Sequence, residues 1–121
     1  FLHLTGFQTS PQIPDEPLSD FEGDPALIKR IFNNLFSNIL KYGDKKAPVV
    51  ITFCQKTDSH NVLQLIITLE NAVKSDLAGI ESNRIGLKSA EKMMQLMHGE
   101  LHYTQMVESF TSTLTFKGLT D

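Results

Sequence analysis

The sequence is short of several features on which common protein classes depend. It holds one cysteine and no tryptophan in 121 residues, and a single cysteine excludes an internal disulfide. Its 11 Lys and Arg are outnumbered by 14 Asp and Glu, which gives a formal net charge of −3. Because a basic excess is what attracts nucleic acid or an anionic membrane, we expect no nucleic-acid partner and no membrane contact. No stretch of the sequence reaches the about 18 apolar residues of a membrane-spanning helix.

The residues most often used for metal binding and nucleophilic catalysis are also sparse. Cys54 lies in the apolar run VVITFCQ, where we expect a small buried strand residue, since free cysteines are mostly buried and inert. The four histidines are scattered, and neither metal-ligand spacing nor a catalytic triad emerges from them. We therefore assign no role to His3, His60, His98 and His102.

The length and composition predict a single domain over residues 1–121. At 40% hydrophobic residues the chain is too apolar for intrinsic disorder, and its length suits one core. It begins with Phe1 rather than Met and shows no signal segment, so we expect a fragment of a longer chain. Three prolines limit the N-terminal segment, residues 1–20, to a short strand around Gly6 to Thr9.

Hydrophobic spacing predicts two amphipathic helices. The first is capped by Asp24, has a proline in its first turn and continues to Gly43. The second runs from Ile85 to near Gly99. We expect the methionines of the second helix to fill the core: Met93, Met94 and Met97.

Alternating apolar residues predict the strands. The runs VVITFCQ and VLQLIITLEN are separated by the polar turn TDSHN and indicate antiparallel neighbours, and LHYTQMVESFTSTLTFKGL alternates as a hairpin would. The intervening stretch Val73 to Arg84 lacks periodicity and predicts a loop. The order strand, helix, strand, strand, loop, helix, strand, strand indicates an α+β fold. We predict a two-layer α/β sandwich with a mixed, mostly antiparallel sheet, helices on one face and the other face partly solvated.

One edge of the first helix carries polar side chains beside the core. On a helical wheel Asn38 falls inside the apolar arc, between Leu27 and Ile31, while Asn34 and Lys41 lie one turn to either side. A buried amide without partners costs about 1 to 3 kcal/mol, so this amide must meet something polar. That partner is either a metal–phosphate group, with the amide oxygen on the cation and the lysine on the phosphate, or a neighbouring loop carbonyl.

Two further positions have a functional and a structural interpretation. Gly86 begins the second helix after a loop, where a glycine permits a phosphate to approach the helix N-terminus, although many loops enter helices in this way. Asn71 ends the second buried strand and is either a ligand-facing amide or a turn former. By the period of two it continues the inward set Leu63, Leu65, Ile67 and Leu69.

Together these motifs resemble those of a known family. The run RIFNNLFSNILKYG, from Arg30 to Gly43, resembles the asparagine box of sensor histidine kinases. The run NRIGLKSAEKMMQLMHGELHY, from Asn83 to Tyr103, resembles their second glycine box, and ESFTSTLTF resembles the final strand. The resemblance covers about Gly6 to Phe116. It implies the ATP-binding catalytic domain of a bacterial two-component kinase, in the Bergerat fold of the GHKL group, which gyrase and chaperone ATPases share.

For the first helix, the resemblance implies four site residues. Asn38 matches the asparagine that ligands Mg²⁺, and Asn34 matches the upstream asparagine near the phosphates. Lys41 matches the basic residue that contacts phosphate, and Tyr42 the aromatic residue that lines the nucleotide pocket. On this basis we expect ATP and Mg²⁺ as the bound groups.

Elsewhere the sequence departs from the family. Asn71 stands where an aspartate usually accepts from the adenine amine, so we expect weaker adenine binding. Gly86 matches the second glycine of the phosphate turn, which with Leu87 contacts the nucleotide, but Arg84 replaces the first glycine. We hypothesise that the Arg84 guanidinium reaches a phosphate in its place.

The first glycine box and the lid depart as well. Ala72 and Val73 replace an expected Asn-Gly pair, and the lid, Val73 to Arg84, is only about a dozen residues long. A short lid shields the phosphates less from water and offers fewer contacts to a partner.

The resemblance also implies partners outside this chain. The phosphoacceptor histidine is expected on a separate helical dimerisation domain of the same kinase, with a response regulator as the indirect partner. The domain is expected in the cytoplasm, attached to a membrane-anchored kinase. No carboxylate stands at Asn34 to activate water, so we expect negligible ATPase activity. The alternatives are a degenerate docking or dimerisation module and a serine kinase of the anti-sigma type.

Overall fold

A computed structural model describes residues 8–12, 21, 23–73, 84–106 and 108–118. Seven elements follow one another in the order predicted from the sequence. They are β1 (Thr9–Gln12), α1 (Pro25–Tyr42), β2 (Val49–Thr57), β3 (Leu63–Ala72), α2 (Arg84–Leu96), β4 (Glu100–Gln105) and β5 (Ser109–Lys117).

The strands form one five-stranded sheet in the order β1-β2-β3-β5-β4. β1 pairs with β2 in parallel, and the other neighbouring strands pair antiparallel. The predicted mixed, mostly antiparallel sheet is therefore confirmed. Its register aligns apolar side chains in rows across the sheet, and the central row is Phe53, Ile67, Leu114 and Leu101.

Both helices cover the face of the sheet that carries these rows. Ile31 and Leu35 of α1 are buried against α2 and the strands. The methionines of α2 are buried as expected from their spacing, because they face both α1 and the sheet. The core cluster shared by the two layers includes Ile67, Leu69, Leu87, Ala90, Met93, Met94, Met97, Leu101, Leu114 and Phe116.

The opposite face of the sheet has no helix over it among the described residues, and this overturns one expectation. Cys54 lies in β2 as predicted, but it is exposed rather than buried. In the register it aligns with Ile66 and Thr115, one position out of phase with the core rows. Since successive strand residues point to opposite faces, Cys54 is on the uncovered face.

The first strand also differs from its prediction. It spans Thr9–Gln12, whereas the sequence indicated a strand around Gly6 to Thr9, most of which lies outside the described residues. Pro11 is part of this strand and pairs with Ile51. A proline lacks the N–H that a central strand needs, but β1 is at the edge of the sheet, where proline is tolerated.

The predicted N-terminus of α1 is confirmed. The Asp24 carboxylate accepts a hydrogen bond from the Ala26 N–H at 2.9 Å, with a proline in the first turn. The Asp24 N–H donates to Met97 Sδ at 3.2 Å, so the beginning of α1 meets the end of α2. Neither described helix is long and apolar enough to cross a membrane.

α2 ends in a Schellman motif that uses a histidine in the left-handed position. His98 has φ of 61°. The Gly99 N–H donates to the Met94 carbonyl at 2.8 Å, and the His98 N–H donates to the Gln95 carbonyl at 3.0 Å. Because His98 takes the left-handed position, Gly99 is needed for lack of space and not for a positive φ. A Cβ on Gly99 would lie 2.6 Å from the Thr115 carbonyl oxygen of β5.

The turn between β2 and β3 is organised by Asp58. Its carboxylate accepts from the backbone N–H groups of His60 at 2.8 Å and Val62 at 2.9 Å. The Val62 hydrogen bond is the main cause that lowers the pKa of Asp58 below its ordinary value. The carboxylate therefore stabilises the turn at neutral pH, and this contribution is lost as the pH falls through the lowered pKa.

Replacing Gly99 tests how closely α2 approaches β5. We expect Gly99→Ala to lower the free energy of unfolding by about 1 to 3 kcal/mol, because the added methyl group meets a backbone carbonyl that cannot move aside. Urea denaturation measures the change. Gly23→Ala is the control, since its methyl group would come too close only to the flexible end of Ile28 and would lie at ordinary contact distance, 3.7 Å, from Met97 Sδ. Equal effects in the two variants would contradict this account.

Candidate functional site

The C-terminal half of α1 presents a row of polar side chains. Because α1 is continuous from Pro25 to Tyr42, Asn34, Asn38 and Lys41 follow one another along one face of the helix. Asn38 is half-buried rather than sealed in the core, and Lys41 is exposed. The structure shows no hydrogen bond from the Asn38 amide to another described residue. Asn38 is thus at the border of the core, where the residue is partly exposed to solvent.

The end of α1 is joined to the end of β3. Gly43, directly after Tyr42, forms an antiparallel bridge with Val73. The Asp44 N–H donates to the Ala72 carbonyl at 2.8 Å. Underneath this junction Ile39 packs on Val49 of β2 in a small second cluster with Phe36 and Ile51. The predicted residues of the asparagine box and of the β3 end are therefore held at the same end of the sheet.

Asn71 lies on the covered face of the sheet, as its place in the alternation predicted. It is 4% exposed, and its Nδ2 donates to the Ala72 carbonyl at 3.0 Å. The sequence reasoning missed a second buried polar residue, Ser112, which is 3% exposed. Ser112 is two residues beyond Phe110, the cross-strand partner of Asn71, so the two polar residues are diagonal neighbours. The alternation of β5, with Leu114 and Phe116 facing inward, was the signal that could have found it.

The first turn of α2 lies at the same end of the sheet as the junction between α1 and β3. The end of α2 meets the beginning of α1 through Met97 and Asp24, and the two helices share one core cluster. The start of α2 is therefore directed toward the C-terminal half of α1. The helix begins at Arg84, so Gly86 is in the first turn, where backbone N–H groups have no partner within the helix. The side chain of Arg84 and the predicted lid residues 74–83 lie outside the described part of the chain.

Leu87 has a different position from the one its place in the motif implied. Its side chain is 3% exposed and belongs to the main core cluster. It belongs to the core because it is one turn before Ala90 and two turns before Met94 on the buried face of α2. Any contact between Leu87 and a ligand must therefore be made by its backbone.

The donor chemistry of this end of the sheet fits Mg²⁺ accompanied by phosphate. Mg²⁺ prefers oxygen ligands and usually takes one or two from the protein, with phosphates and water supplying the others. The half-buried Asn38 carries an amide oxygen, and Lys41 offers an exposed cation nearby on the helix. Within the described ranges no three His, Cys, Asp or Glu side chains are grouped to hold a metal by themselves.

A cleft at the opposite end of the sheet contains none of the predicted site residues. It has a volume of about 410 Å³ and is lined by residues that include Asp58, His98 and Lys117. These residues come from the β2–β3 turn, the end of α2 and the end of β5. The cleft is therefore separate from the junction between α1 and β3.

Comparisons with known proteins show both a related sequence and similar folds. The sensor histidine kinase YrkQ of Bacillus subtilis (strain 168) is 32% identical over 89 residues, which are 74% of this chain and 19% of YrkQ. The histidine kinase AdeS of Acinetobacter baumannii has a similar structure, with a TM-score of 0.68, 13% identity and coverage of 95% of this chain and 56% of AdeS. The catalytic domain of the histidine kinase ThkA also gives a TM-score of 0.68, with 14% identity and coverage of 93% and 79%. No protein-family model matches the chain.

The fold is thus that of a histidine kinase catalytic domain. The chain belongs to the sensor histidine kinase family, as the resemblance of its asparagine and glycine boxes indicated. It spans about one fifth of the length of the curated relative that it matches.

Truncating Leu87 tests whether its side chain is structural. We expect Leu87→Ala to lower the free energy of unfolding by about 2 to 5 kcal/mol, because it leaves a cavity between α2 and the sheet. Lys88→Ala, at the exposed neighbouring position, should change it by less than about 0.5 kcal/mol. Chemical denaturation of both variants checks the difference. A fully stable Leu87→Ala variant would show that the side chain is not part of the core.

Proposed function

We propose that this domain binds Mg-ATP and positions its γ-phosphoryl group for transfer to a histidine on a separate helical domain of the same kinase. The observation that carries the proposal is the junction between α1 and β3. Through the Ala72 carbonyl it joins the end of α1, the helix with the polar row, to the end of β3, the strand with the buried amide of Asn71. One end of the sheet thereby offers oxygen ligands, a cation and an amide for a nucleotide.

The side chains of α1 have separate roles in this proposal. Asn38 supplies the amide oxygen for the metal ion, and Lys41 faces the phosphates with its ammonium group. Asn34, one turn earlier, hydrogen-bonds near the phosphates, and the half-buried Tyr42 borders the nucleotide pocket. All four side chains belong to one helix, and the end of that helix is fixed to the sheet.

Phosphoryl transfer suits such a set of residues. The phosphoryl group moves from ATP to a nitrogen of the acceptor imidazole and leaves ADP, and the reaction needs positioning and charge stabilisation more than covalent help. Bound Mg²⁺ would neutralise charge on the phosphate oxygens. The protein contributes amide and ammonium groups that orient the triphosphate, together with the helix N-terminus of α2.

The beginning of α2 completes the phosphate end of the site. Gly86 is in the first turn, where a phosphate can approach backbone N–H groups closely. Leu87 takes part through its backbone, since its side chain is in the core. We propose that the Arg84 guanidinium contacts the β- or γ-phosphate in place of the missing first glycine.

The larger assembly is also part of the proposal. The acceptor histidine lies on a helical dimerisation domain, and a response regulator receives the phosphoryl group from it. The domain acts in the cytoplasm as part of a membrane-anchored kinase. These partners are proposed because the relatives are sensor histidine kinases of which this chain spans only a part.

A second candidate function is a degenerate kinase-like module that docks without using ATP. The observation that favours it is the loss of family glycines, with Ala72, Val73 and Arg84 at positions where glycine or Asn-Gly is usual. The two candidates differ in whether magnesium affects nucleotide binding.

Magnesium-dependent binding is the decisive test. We expect a non-hydrolysable ATP analogue to bind the chain at least about tenfold more tightly with Mg²⁺ than without it, because the metal links Asn38 to the phosphates. Calorimetric titration measures both affinities. Asn38→Ala should abolish the magnesium effect, whereas Asn33→Ala, at an exposed position of the same helix, should retain it. Binding that is absent, or insensitive to magnesium, would favour the docking module.

Steady ATP hydrolysis should be negligible. No carboxylate stands at the Asn34 position to activate water, so ATP should persist until an acceptor histidine is supplied. Phosphate release by the chain alone should therefore equal that of Asn38→Ala over several hours. Steady turnover that the Asn38→Ala variant lacks would contradict transfer as the function.

A further inference from the structure

We propose that the exposed face of α1 is a docking surface for an acidic helix of a partner protein. This surface, the basic face, comprises six exposed residues of the helix: Lys29, Arg30, Asn33, Ser37, Leu40 and Lys41. The proposal does not rest on nucleotide binding, because it concerns the side of α1 that is turned away from the core.

The basic face is one continuous strip of the helix surface. At 3.6 residues per turn its six positions fall within one arc of about 120°, and they extend about 18 Å along the helix axis. The buried residues of α1, which are Ile31, Leu35 and Ile39, lie on the opposite side of the helix. The strip is therefore long and narrow, with the width of a single helix.

The charge of the strip is of one sign. Between Pro25 and Tyr42 the helix contains no Asp or Glu, although the chain as a whole has a net charge of −3. The structure shows no ion pair from Lys29, Arg30 or Lys41 to another described residue. The positive charge of α1 is thus left for carboxylates of another molecule.

Two of these cations are placed where they do not stabilise the helix. A cation interacts favourably with the helix dipole near the C-terminus, where Lys41 lies in the last turn. Lys29 and Arg30 are in the second turn, near the positive end of the dipole. No carboxylate lies three or four residues away from them within the helix, so they also lack a local ion pair. An arginine beside a lysine suits a carboxylate partner, since the guanidinium can hold both carboxylate oxygens.

The middle of the strip suits the close approach of a second helix. Asn33 and Ser37 have short side chains, and packed helices lie about 8 to 10 Å apart, depending on the side chains between them. Leu40 is 44% exposed and offers an apolar contact on the same face. A partner helix with acidic residues at both ends of the contact and an apolar residue near Leu40 would match all of these features.

The size and surroundings of the strip favour a helix over larger anionic partners. Asp24 directly precedes α1, and Asp44 follows it closely. The acidic excess of the chain lies outside α1. Duplex DNA or an anionic bilayer would extend past the strip and be repelled by this excess, whereas a single helix would not.

Binding of an acidic peptide tests the proposal on the unaltered chain. The probe is a fluorescently labelled helical peptide of about twenty residues, long enough to span α1, with glutamates and leucines at helical spacing. Its control is the same peptide with every glutamate replaced by glutamine. By fluorescence anisotropy at low salt, we expect the acidic peptide to bind at least about tenfold more tightly than the control, and added salt to reduce this difference.

Paired charge reversals then locate the contact. Lys29→Glu combined with Arg30→Glu should weaken binding of the acidic peptide at least about tenfold, and Leu40→Ser should weaken it about threefold. Lys88→Glu combined with Lys92→Glu makes the same change of net charge at exposed positions of α2, and should weaken binding by less than about threefold. Thermal unfolding shows whether each variant is folded, and the comparison of the two peptides stands without the variants.

Several outcomes would overturn the proposal. They are equal binding of the two peptides, equal losses in the two double variants, and tighter binding of duplex DNA or phosphatidylglycerol vesicles than of the acidic peptide at the same salt. Self-association of the chain that the reversal at Lys29 and Arg30 abolishes would assign the face to a second copy instead. None of these results affects magnesium-dependent nucleotide binding, and a chain that binds no nucleotide would still present the basic face.

Discussion

The arrangement of the site depends on one backbone carbonyl, that of Ala72. It accepts hydrogen bonds from the N–H of Asp44, which follows α1, and from Nδ2 of Asn71, the next-to-last residue of β3. The helix carrying Asn38 and Lys41 is thereby fixed to the strand carrying the buried amide. Backbone hydrogen bonds hold this junction, so it depends little on which side chains surround it. This is consistent with a likeness to histidine kinase structures at 13% and 14% sequence identity.

The covered face of the sheet carries both the hydrophobic core and the proposed site. The covered face buries two helices and supplies the hydrophobic free energy that holds both of them. Near one end of that face the apolar rows are interrupted by Asn71 and Ser112. Polar groups in such a position reduce the stability that apolar residues would give. The polar positions therefore separate the apolar part of the core, which stabilises the domain, from the end of the sheet at which we propose that a nucleotide binds.

Much of the fold was predictable because its signals are local. The capping aspartate, the proline of the first helical turn and the methionines of α2 act within a few residues of sequence, and each is confirmed. Cys54 and β1 show what local sequence signals do not predict. The apolar run around Cys54 has no visible alternation, so only the register against β3 shows which face it occupies. The prolines of the N-terminal segment predict a strand only around Gly6 to Thr9, and the place of β1 at the sheet edge explains why it includes Pro11.

The candidate site likewise has some features that local sequence predicts and others that depend on the tertiary structure. The sequence by itself determined that Asn34, Asn38 and Lys41 share one helix face, because the helical repeat fixes neighbours three and four residues apart. It also determined the inward direction of Asn71 through the period of a strand. Only the tertiary structure decided that Asn38 is half-buried, that the side chain of Leu87 belongs to the core, and that Ser112 lies beside Asn71. These facts depend on contacts between residues far apart in the chain, which no local repeat encodes.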